Sequence, residues 1–370
     1  MRTIYTSCLL TIAALAVATS CGKSDTPAVA SGPVDVRLVV SSGDNTRVGS
    51  DATDNNIHQL RVYAFKGDTK VGYAEADNLR GQNYIPITLS EGGDINFYVI
   101  ANDNFGPRPT VDTTQVTDWA SLSKANLESL KFDLSEFGGW SATDDFVSPM
   151  SNNLYDEFGN ELKNDSGTAA YKNDYGTAVN VTKPTVIPVT VQHVLGRLRL
   201  MLNKESDDVT ITLKRAAVYN RPDYFLLYNS GSADIKYDNN KSLVDEFVVS
   251  DILLETTQKE VARTYLAPNL YGSSDPDTYT AQKTDGTTIS NGLNEAYCLE
   301  LEVEFAYSTG TSETKNYTTK NYTVYLPRVP RNTSIDVQGT FKGTVVDINP
   351  TFNIMVNAWV ERPIEIPAFE

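Results

Sequence analysis

The chain of 370 residues has little of what most often carries chemistry. It contains two histidines, His58 and His193, and three cysteines, Cys8, Cys21 and Cys298. The histidines fall in segments expected to belong to separate domains, so no shared histidine metal site or nucleophile–histidine triad is expected. Each reads as a surface or strand-edge residue. Cys8 and Cys21 sit in or beside an N-terminal leader, which leaves Cys298 alone in the body. No intramolecular disulfide can form there, and the fold must rest on its apolar cores. Within AYCLELEVEFAY, Cys298 reads as a small buried hydrophobe rather than a catalytic thiol.

Positive charge is scarce as well: 31 Lys and Arg stand against 47 Asp and Glu, a net charge of −16. Phosphate binding needs a dense basic face, so nucleic acid is excluded as a partner. No phosphate-cradling glycine loop, GxSxG or Walker motif occurs. The acidic clusters Asp144-Asp145, Glu205-Ser206-Asp207-Asp208 and Asp275-Pro276-Asp277 lack the ligand spacing of a calcium loop and read as solvated turns. No pair of carboxylates is singled out for glycoside hydrolysis. Of the three tryptophans, Trp119 and Trp359 read as core residues, and Trp140, after Gly138-Gly139, as exposed. The sequence offers no enzyme, no cofactor and no metal site.

Long apolar runs are confined to the leader. Met1 to Cys21 carries Arg2, then Leu9-Leu10 and Ile12 to Ala18, too short to span a bilayer comfortably and laid out as a signal peptide. The small residues Ala18-Thr19-Ser20 before Cys21 resemble a bacterial lipobox. In that class the bond between Ser20 and Cys21 is cut and the Cys21 thiol is lipidated. Ordinary secretion with cleavage nearby is the alternative. Gly22 to Gly32 has the composition of a flexible tether.

What is present in quantity is strand pattern. Hydrophobic residues make up 40% and tyrosines number 20, a globular composition. Val34, Val36 and Leu38 alternate before Val39-Val40, predicting a strand. The turn-forming Ser41 to Asn45 follows, and Arg47 lies in that polar run. Further strands are expected at 57–65, 84–89 and 95–102, with a helix over 117–130 capped by Thr117. Residues 137–175, including FVSPMSNN, read as long surface loops joining a few short strands. From Pro184 the texture shifts to strong alternation at 186–191, 194–202, 209–213, 217–220, 224–228, 297–307, 317–326, 337–346 and 352–360. The fold class is therefore all-β with one short helix, and the second domain reads as a β-sandwich. The expected boundaries are 1–20 leader, 21–47 tether and first strand, 48–183 first domain and 184–370 second domain.

The order of these motifs resembles the Bacteroidales fimbrillins, the major and minor fimbrial subunits of type V pili. The resemblance rests on Cys21, VDVRLVVSSGDNTR ending at Arg47, IHQLRVYAF from Ile57 and FYVIAND from Phe97. SPM at Ser148, VTVQHVLGRLRL from Val189, YLPRVPRNTSIDVQG from Tyr325 and IMVNAWVE from Ile354 complete it. It implies two tandem transthyretin-like β-sandwiches and a lipoprotein precursor reaching the outer membrane through its lipid. It further implies that an Arg-specific protease cuts between Arg47 and Val48. The strand carrying Val34, Val36, Leu38 and Val40 then leaves, and a strand of the next fimbrial subunit fills the vacated groove. Arg37 is a competing cut site, shielded if its strand is paired. The C-terminal Ile364, Ile366 and Ala368 alternate as a donor strand should, although Pro363 and Pro367 remove ladder bonds. A frayed tail or an edge strand is the other reading of that segment. Other readings of the whole chain are a glycan-binding lipoprotein anchored in the outer membrane, and a tip or anchor subunit of the fimbria.

Overall fold

The computed structural model describes residues 32–42, 57–77, 79, 84–103, 109–111, 114–133, 148–155, 173–222, 224–228, 244–248, 250–269, 297–308, 315–327, 329–344 and 347–358. Ser20, Cys21, Arg47, Val48, Ile364, Ile366, Ala368, Trp140 and Trp359 lie outside them.

The first sandwich is built from β1 (Val34–Ser42), β2 (Gln59–Lys66), β3 (Thr69–Asp77), β4 (Tyr84–Leu89) and β5 (Gly93–Ala101). A small sheet follows from β6 (Pro109–Val111), β7 (Thr114–Gln115) and β8 (Lys131–Asp133), with helix α1 (Lys124–Glu128) before β8. Then come β9 (Met150–Ser151), β10 (Val179–Val181) and β11 (Thr185–His193). Hydrogen bonding links them in the order β3-β2-β5-β9-β11-β1-β4. β11 is the pivot: Thr185 to Val191 pair with β1, whereas Gln192 and His193 pair with β9. The two ends of this sheet face each other across a core that includes Leu38, Val62, Ile87, Val99 and Val189. Gly72 of β3 marks the closest approach: a Cβ there would stand 2.9 Å from Leu89 Cδ2 of β4, so the opposed strands need a glycine.

The later strands are β12 (Gly196–Lys204), β13 (Thr210–Tyr219), β14 (Tyr224–Leu226), β15 (Val244–Val248), β16 (Ile252–Leu253), β17 (Lys259–Leu266), β18 (Cys298–Ser308), β19 (Lys315–Tyr325), β20 (Thr333–Thr344) and β21 (Asp347–Ala358), and all of them except β14 build the second sandwich. One sheet runs β17-β12-β20-β21 and the other β15-β13-β18-β19. Between them lie Leu200, Leu213, Leu301, Phe305, Val337 and Phe341, all buried.

Several expectations are corrected. The strand at Thr185–His193, expected beyond a boundary at 183/184, pairs inside the first sheet. Its alternation is the same in either location, so only its partners reveal where it belongs. His193 is therefore buried in the first sheet rather than exposed in a second domain, while His58, also of the first sandwich, is exposed as expected. The strand at 224–228 does not join the second sandwich: β14 pairs with β8 and extends the small sheet of the first. The helix over 117–130 divides into a 3₁₀ turn, Trp119–Ser121, and α1. Ser123 restarts the helix, because its hydroxyl accepts from Asn126 N–H while the Asn126 side chain returns to Ser123 N–H. Leu122, Leu127 and Leu130 are buried, but Trp119 is half-buried with the Arg61 guanidinium over its ring.

The segment expected as surface loop around SPM is interior. Ser148, Ser151, Asn152 and Asn153 are wholly buried. Asn152 accepts from Val99 N–H at 2.9 Å and donates to Phe97 O at 2.8 Å and Asn173 O at 3.0 Å. Polar residues signal loops only on average; here each amide is spent on backbone groups that a sheet end leaves open.

The two sandwiches are joined by a core of their own. Tyr63, Phe65, Tyr98 and Ile100 of the first, with Phe225 of its small sheet, share a cluster with Leu227 and Tyr228 after β14 and with Tyr265 of the second. Tyr228 O–H donates to Val99 O at 2.9 Å, and Ser151 O–H to Leu227 O at 3.0 Å. Arg331, buried at 1% exposure, donates to Leu226 O and Leu227 O. Domains coupled this way do not hinge freely, because opening would expose aromatic surface and unmade hydrogen bonds.

Candidate functional site: the β1 slot

β1 lies inside the sheet, parallel to β11 on one side and antiparallel to β4 on the other. Val34 and Val36 are 3% exposed, and Leu38 and Val40 are fully buried. The alternation read from the sequence thus places all four candidate slot residues on the core face. They pack among Ile85, Ile87 and Leu89 of β4 and Ile187, Val189 and Val191 of β11. Asp35 and Arg37 face solvent. There the Thr88 hydroxyl donates to Asp35 Oδ1 at 2.7 Å, and the Arg37 guanidinium stacks 3.7 Å from the Tyr84 ring centre. The Arg37 backbone is held in both ladders, opposite Val186 and Pro86.

Two prolines fix how β1 is held. Pro86 is opposite Arg37 in the β4 ladder, and having no N–H it must occupy a non-hydrogen-bonded pair. Arg37 therefore turns its N–H and C=O to β11, while Val36 and Leu38 bond Ile87 and Ile85 of β4. Pro188 is opposite Val39 in the β11 ladder and demands the same phase, with its own carbonyl facing away from β1. That carbonyl accepts from the Asn173 side chain. Removing β1 would leave two complete backbone edges, β4 and β11, bordering an apolar trough.

The described residues hold no group of three or more His, Cys, Asp or Glu side chains able to hold a metal. Glu205 to Asp208 form an exposed turn in which Asp207 pairs with Lys204 at 3.0 Å. Cys298 is half-buried on β18 rather than enclosed, and burial pushes its thiol up to about 11, away from the thiolate a nucleophile needs.

One polar cluster was not read from the sequence. Arg61 Nε donates to Asp103 Oδ2 at 2.8 Å, and its guanidinium also reaches Glu75 and the Tyr73 hydroxyl. Asp103 is buried, and desolvation outweighs Arg61 to raise its carboxyl above the usual range. The cluster ties β2, β3 and the end of β5 together. An alternating strand with one arginine gives no sign that the arginine is interior.

The model of the major fimbrial subunit protein (FimA) matches residues 33–215, from the residue before β1 into β13. A candidate cell adhesion protein from Parabacteroides distasonis ATCC 8503 shares the fold, with a TM-score of 0.50 at 10% identity over 87% of this chain and 97% of that one. A fimbrilin from Porphyromonas gingivalis W83 aligns over 88% and 98% at 15% identity and a TM-score of 0.49. The tip fimbrial protein Mfa3 of Porphyromonas gingivalis, truncated at its C-terminus, aligns over 87% and 99% at 14% identity and a TM-score of 0.45. No protein of curated function matches the chain in sequence. With β1 and its whole slot inside the matched residues, the part of the chain that resembles the major fimbrial subunits, just under half of it, is the part that holds the slot.

Proposed function

We propose that the chain is an adhesion subunit of a cell-surface fimbria and polymerises by strand exchange at the β1 slot. The precursor is cut between Ser20 and Cys21, lipidated on Cys21 and carried to the outer membrane. An Arg-specific protease then cuts between Arg47 and Val48, β1 leaves, and a strand from the next subunit takes its place. Arg47 lies five positions beyond Ser42, the last residue of β1, whereas Arg37 is inside two ladders and protected from a protease that needs an extended, unpaired substrate.

The observation that carries this reading is that β1 is an interior strand with all four inward side chains buried. At roughly 1.5–3 kcal/mol per side chain, exposing that apolar face and its trough costs about 6–12 kcal/mol, comparable with the whole stability of a domain. An emptied slot is consequently a strong acceptor for another alternating strand. The segment containing Ile364, Ile366 and Ala368 follows β21, which ends the sheet β17-β12-β20-β21, and is the donor this reading assigns.

Sequencing the N-terminus of the subunit from assembled fibres tests the reading: Val48 is expected. Fibres whose subunits still begin at lipidated Cys21, or undiminished assembly by Arg47→Ala, would sink it. Deleting residues 362–370 is expected to stop elongation, and normal fibre length would remove the donor assignment. Binding of oligosaccharides by a chain still carrying β1 would instead favour an anchored glycan-binding lipoprotein.

A further inference from the structure

β19 ends the sheet β15-β13-β18-β19, and its far side differs from those of other terminal strands. β3 lies against β4, where Ser90 N–H donates to Val71 O, and β15 lies against β17. Among the described residues no element runs along the outer side of β19, and Lys315 to Thr319 are exposed in succession, Tyr317 at 63%. The strand reads KNYTTKNYTVY, without proline, and its ladder to β18 is unbroken from Lys315 to Tyr325. Tyrosine, threonine and valine dominate it, the residues that favour a pleated, paired backbone.

The rung next to Cys298 and Tyr325 fixes the phase. Leu326 N–H donates to Tyr297 O, so this pair is hydrogen-bonded, and so is every second pair back along the ladder. Asn316, Thr318, Lys320, Tyr322 and Val324 thus turn their backbone groups to β18. Tyr317, Thr319, Asn321 and Thr323 turn theirs outward, with side chains on the solvent face.

Charge follows the same geometry. On β18, Glu300, Glu302 and Glu304 stand behind Thr323, Asn321 and Thr319. From the other side Arg215 reaches Glu300 at 3.7 Å and Lys214 reaches Glu304 at 3.9 Å, but both cations hold closer carboxylates, Glu246 and Asp251. This row therefore keeps an excess of negative charge, while Lys315 is exposed at the start of β19.

We propose that β19 is a docking edge for β19 of a second copy of this chain, the two strands running antiparallel about a two-fold axis at Thr319. That register opposes Thr319 to Thr319, Tyr317 to Asn321 and Lys315 to Thr323, all in the outward phase. Lys315 then stands two strand spacings, about 10 Å at the backbone, from the partner's Glu300, a gap that the two long side chains close over the short Thr323. A lysine at a sheet edge ordinarily discourages such pairing. Here the register sets Lys320 opposite Thr318, and the arrangement that the charge excludes is the one centred on Lys320 itself. The contact joins second sandwiches side by side, away from the β1 slot and with β1 in place, so it goes beyond the strand-exchange reading without depending on it.

The test uses the full precursor with β1 retained, at about 150 mM salt to screen the acidic surface. Sedimentation velocity over a concentration series is expected to show a monomer–dimer equilibrium. Hydrogen exchange across the same series should find the Tyr317, Thr319 and Asn321 amides protected at high concentration and open at low, with Lys320 and Tyr322 protected throughout. Thr319→Pro removes an outward N–H and spares the β18 ladder, so it should give a monomer with an unchanged melt. Lys315→Glu should raise the dimer dissociation constant about tenfold, and adding Glu300→Lys should restore it. A natural chain that stays monomeric through the series, with those amides open at every concentration, overturns the proposal. So does a dimer that Thr319→Pro leaves intact, because its contact then lies elsewhere. Equal dissociation constants for Lys315→Glu and the natural chain overturn the register at Thr319.

Discussion

β1 and β12 hold the same station in their two sandwiches. Each is the first strand of its unit, parallel to a late strand on one side (β11 or β20) and antiparallel to a middle strand on the other (β4 or β17). Both turn an apolar face to a core, Val34, Val36, Leu38 and Val40 in one, Leu198, Leu200 and Leu202 in the other. Their opposite faces differ. Asp35 and Arg37 of β1 are exposed, and among the described residues their polar contacts run to β4, through one hydroxyl and one ring. On β12, Arg199 forms a two-pronged pair with Asp336 of β20, one prong at 2.7 Å, and Arg197 Nε donates to Ser334. Arg197 is buried and Arg199 half-buried. Lys204 N–H donates to Glu255 O, and Asn203 accepts from Thr340. Core burial is thus shared by a strand proposed to leave and a strand that stays. What separates them is the second face, which is bolted with charge on β12 and nearly bare on β1.

The largest expected effect breaks the symmetry outright. A chain beginning at Val48 should lose about 6–12 kcal/mol from the first sandwich, bind a hydrophobic dye and melt without a sharp transition. A synthetic peptide of residues 33–42 added in trans should restore the melt. If the shortened chain melts like the precursor without peptide, β1 is not part of the core. Next in size, Asp336→Ala leaves the Arg199 charge without its carboxylate and should cost about 3–5 kcal/mol in denaturant unfolding. The pair is only partly covered on its arginine side, so the lower end is expected. A loss under about 1 kcal/mol would show that charge is not what fixes β12.

The joint between the two strands offers a pH-dependent test. His193 closes β11, three residues before β12 begins at Gly196. Burial, with a smaller contribution from the Arg197 charge, pushes its imidazole down to about 3. The folded chain therefore keeps His193 neutral while the unfolded chain takes up a proton below its ordinary value of 6.5. Stability from this group is present above pH 6.5 and is lost as pH falls toward 3, at up to about 1.4 kcal/mol per pH unit. Near pH 5 the loss is about 2 kcal/mol. Asp103 and Asp174, whose carboxyls are raised by burial, act in the opposite sense over the acid range. The comparison is accordingly the slope difference between the natural chain and His193→Gln. Equal slopes would mean that His193 is protonated in the fold.

Which strands exist was legible in the residues; which strands meet was much less so. Alternation at Val34–Val40 predicts both the strand and its buried face, since period two is a local property. The membership of Thr185–His193 and Tyr224–Leu226 is decided by partners far away in the chain, Val36 lying 149 residues before Thr185 and Phe132 lying 93 before Phe225. Similarly, the buried Asn152 looks like a loop residue until the open carbonyl of Phe97 beside it is known. The candidate slot was readable because it is made of repetition; the Arg61 and Arg331 anchors were not, because a buried arginine looks like an exposed one until its partner is seen.

The smallest expected effect bears on the face that distinguishes the two strands. Thr88→Val removes the hydrogen bond to Asp35, and Arg37→Ala removes the stack on Tyr84, both at exposed positions where such contacts are worth under about 1 kcal/mol each. Neither should shift the melting of the precursor by more than a few degrees. They should nevertheless speed the release of β1 from a chain nicked after Arg47, because a strand held by few outer contacts loses a larger share of its hold when one is cut. Stopped-flow dilution of the nicked protein, with a fluorophore on the freed segment, reads that rate. Doubling or trebling of release with an unchanged melt would place the control of strand departure on the outer face. Release as slow as in the natural chain would place it in the apolar trough alone, and the bare outer face of β1 would then be irrelevant to its leaving.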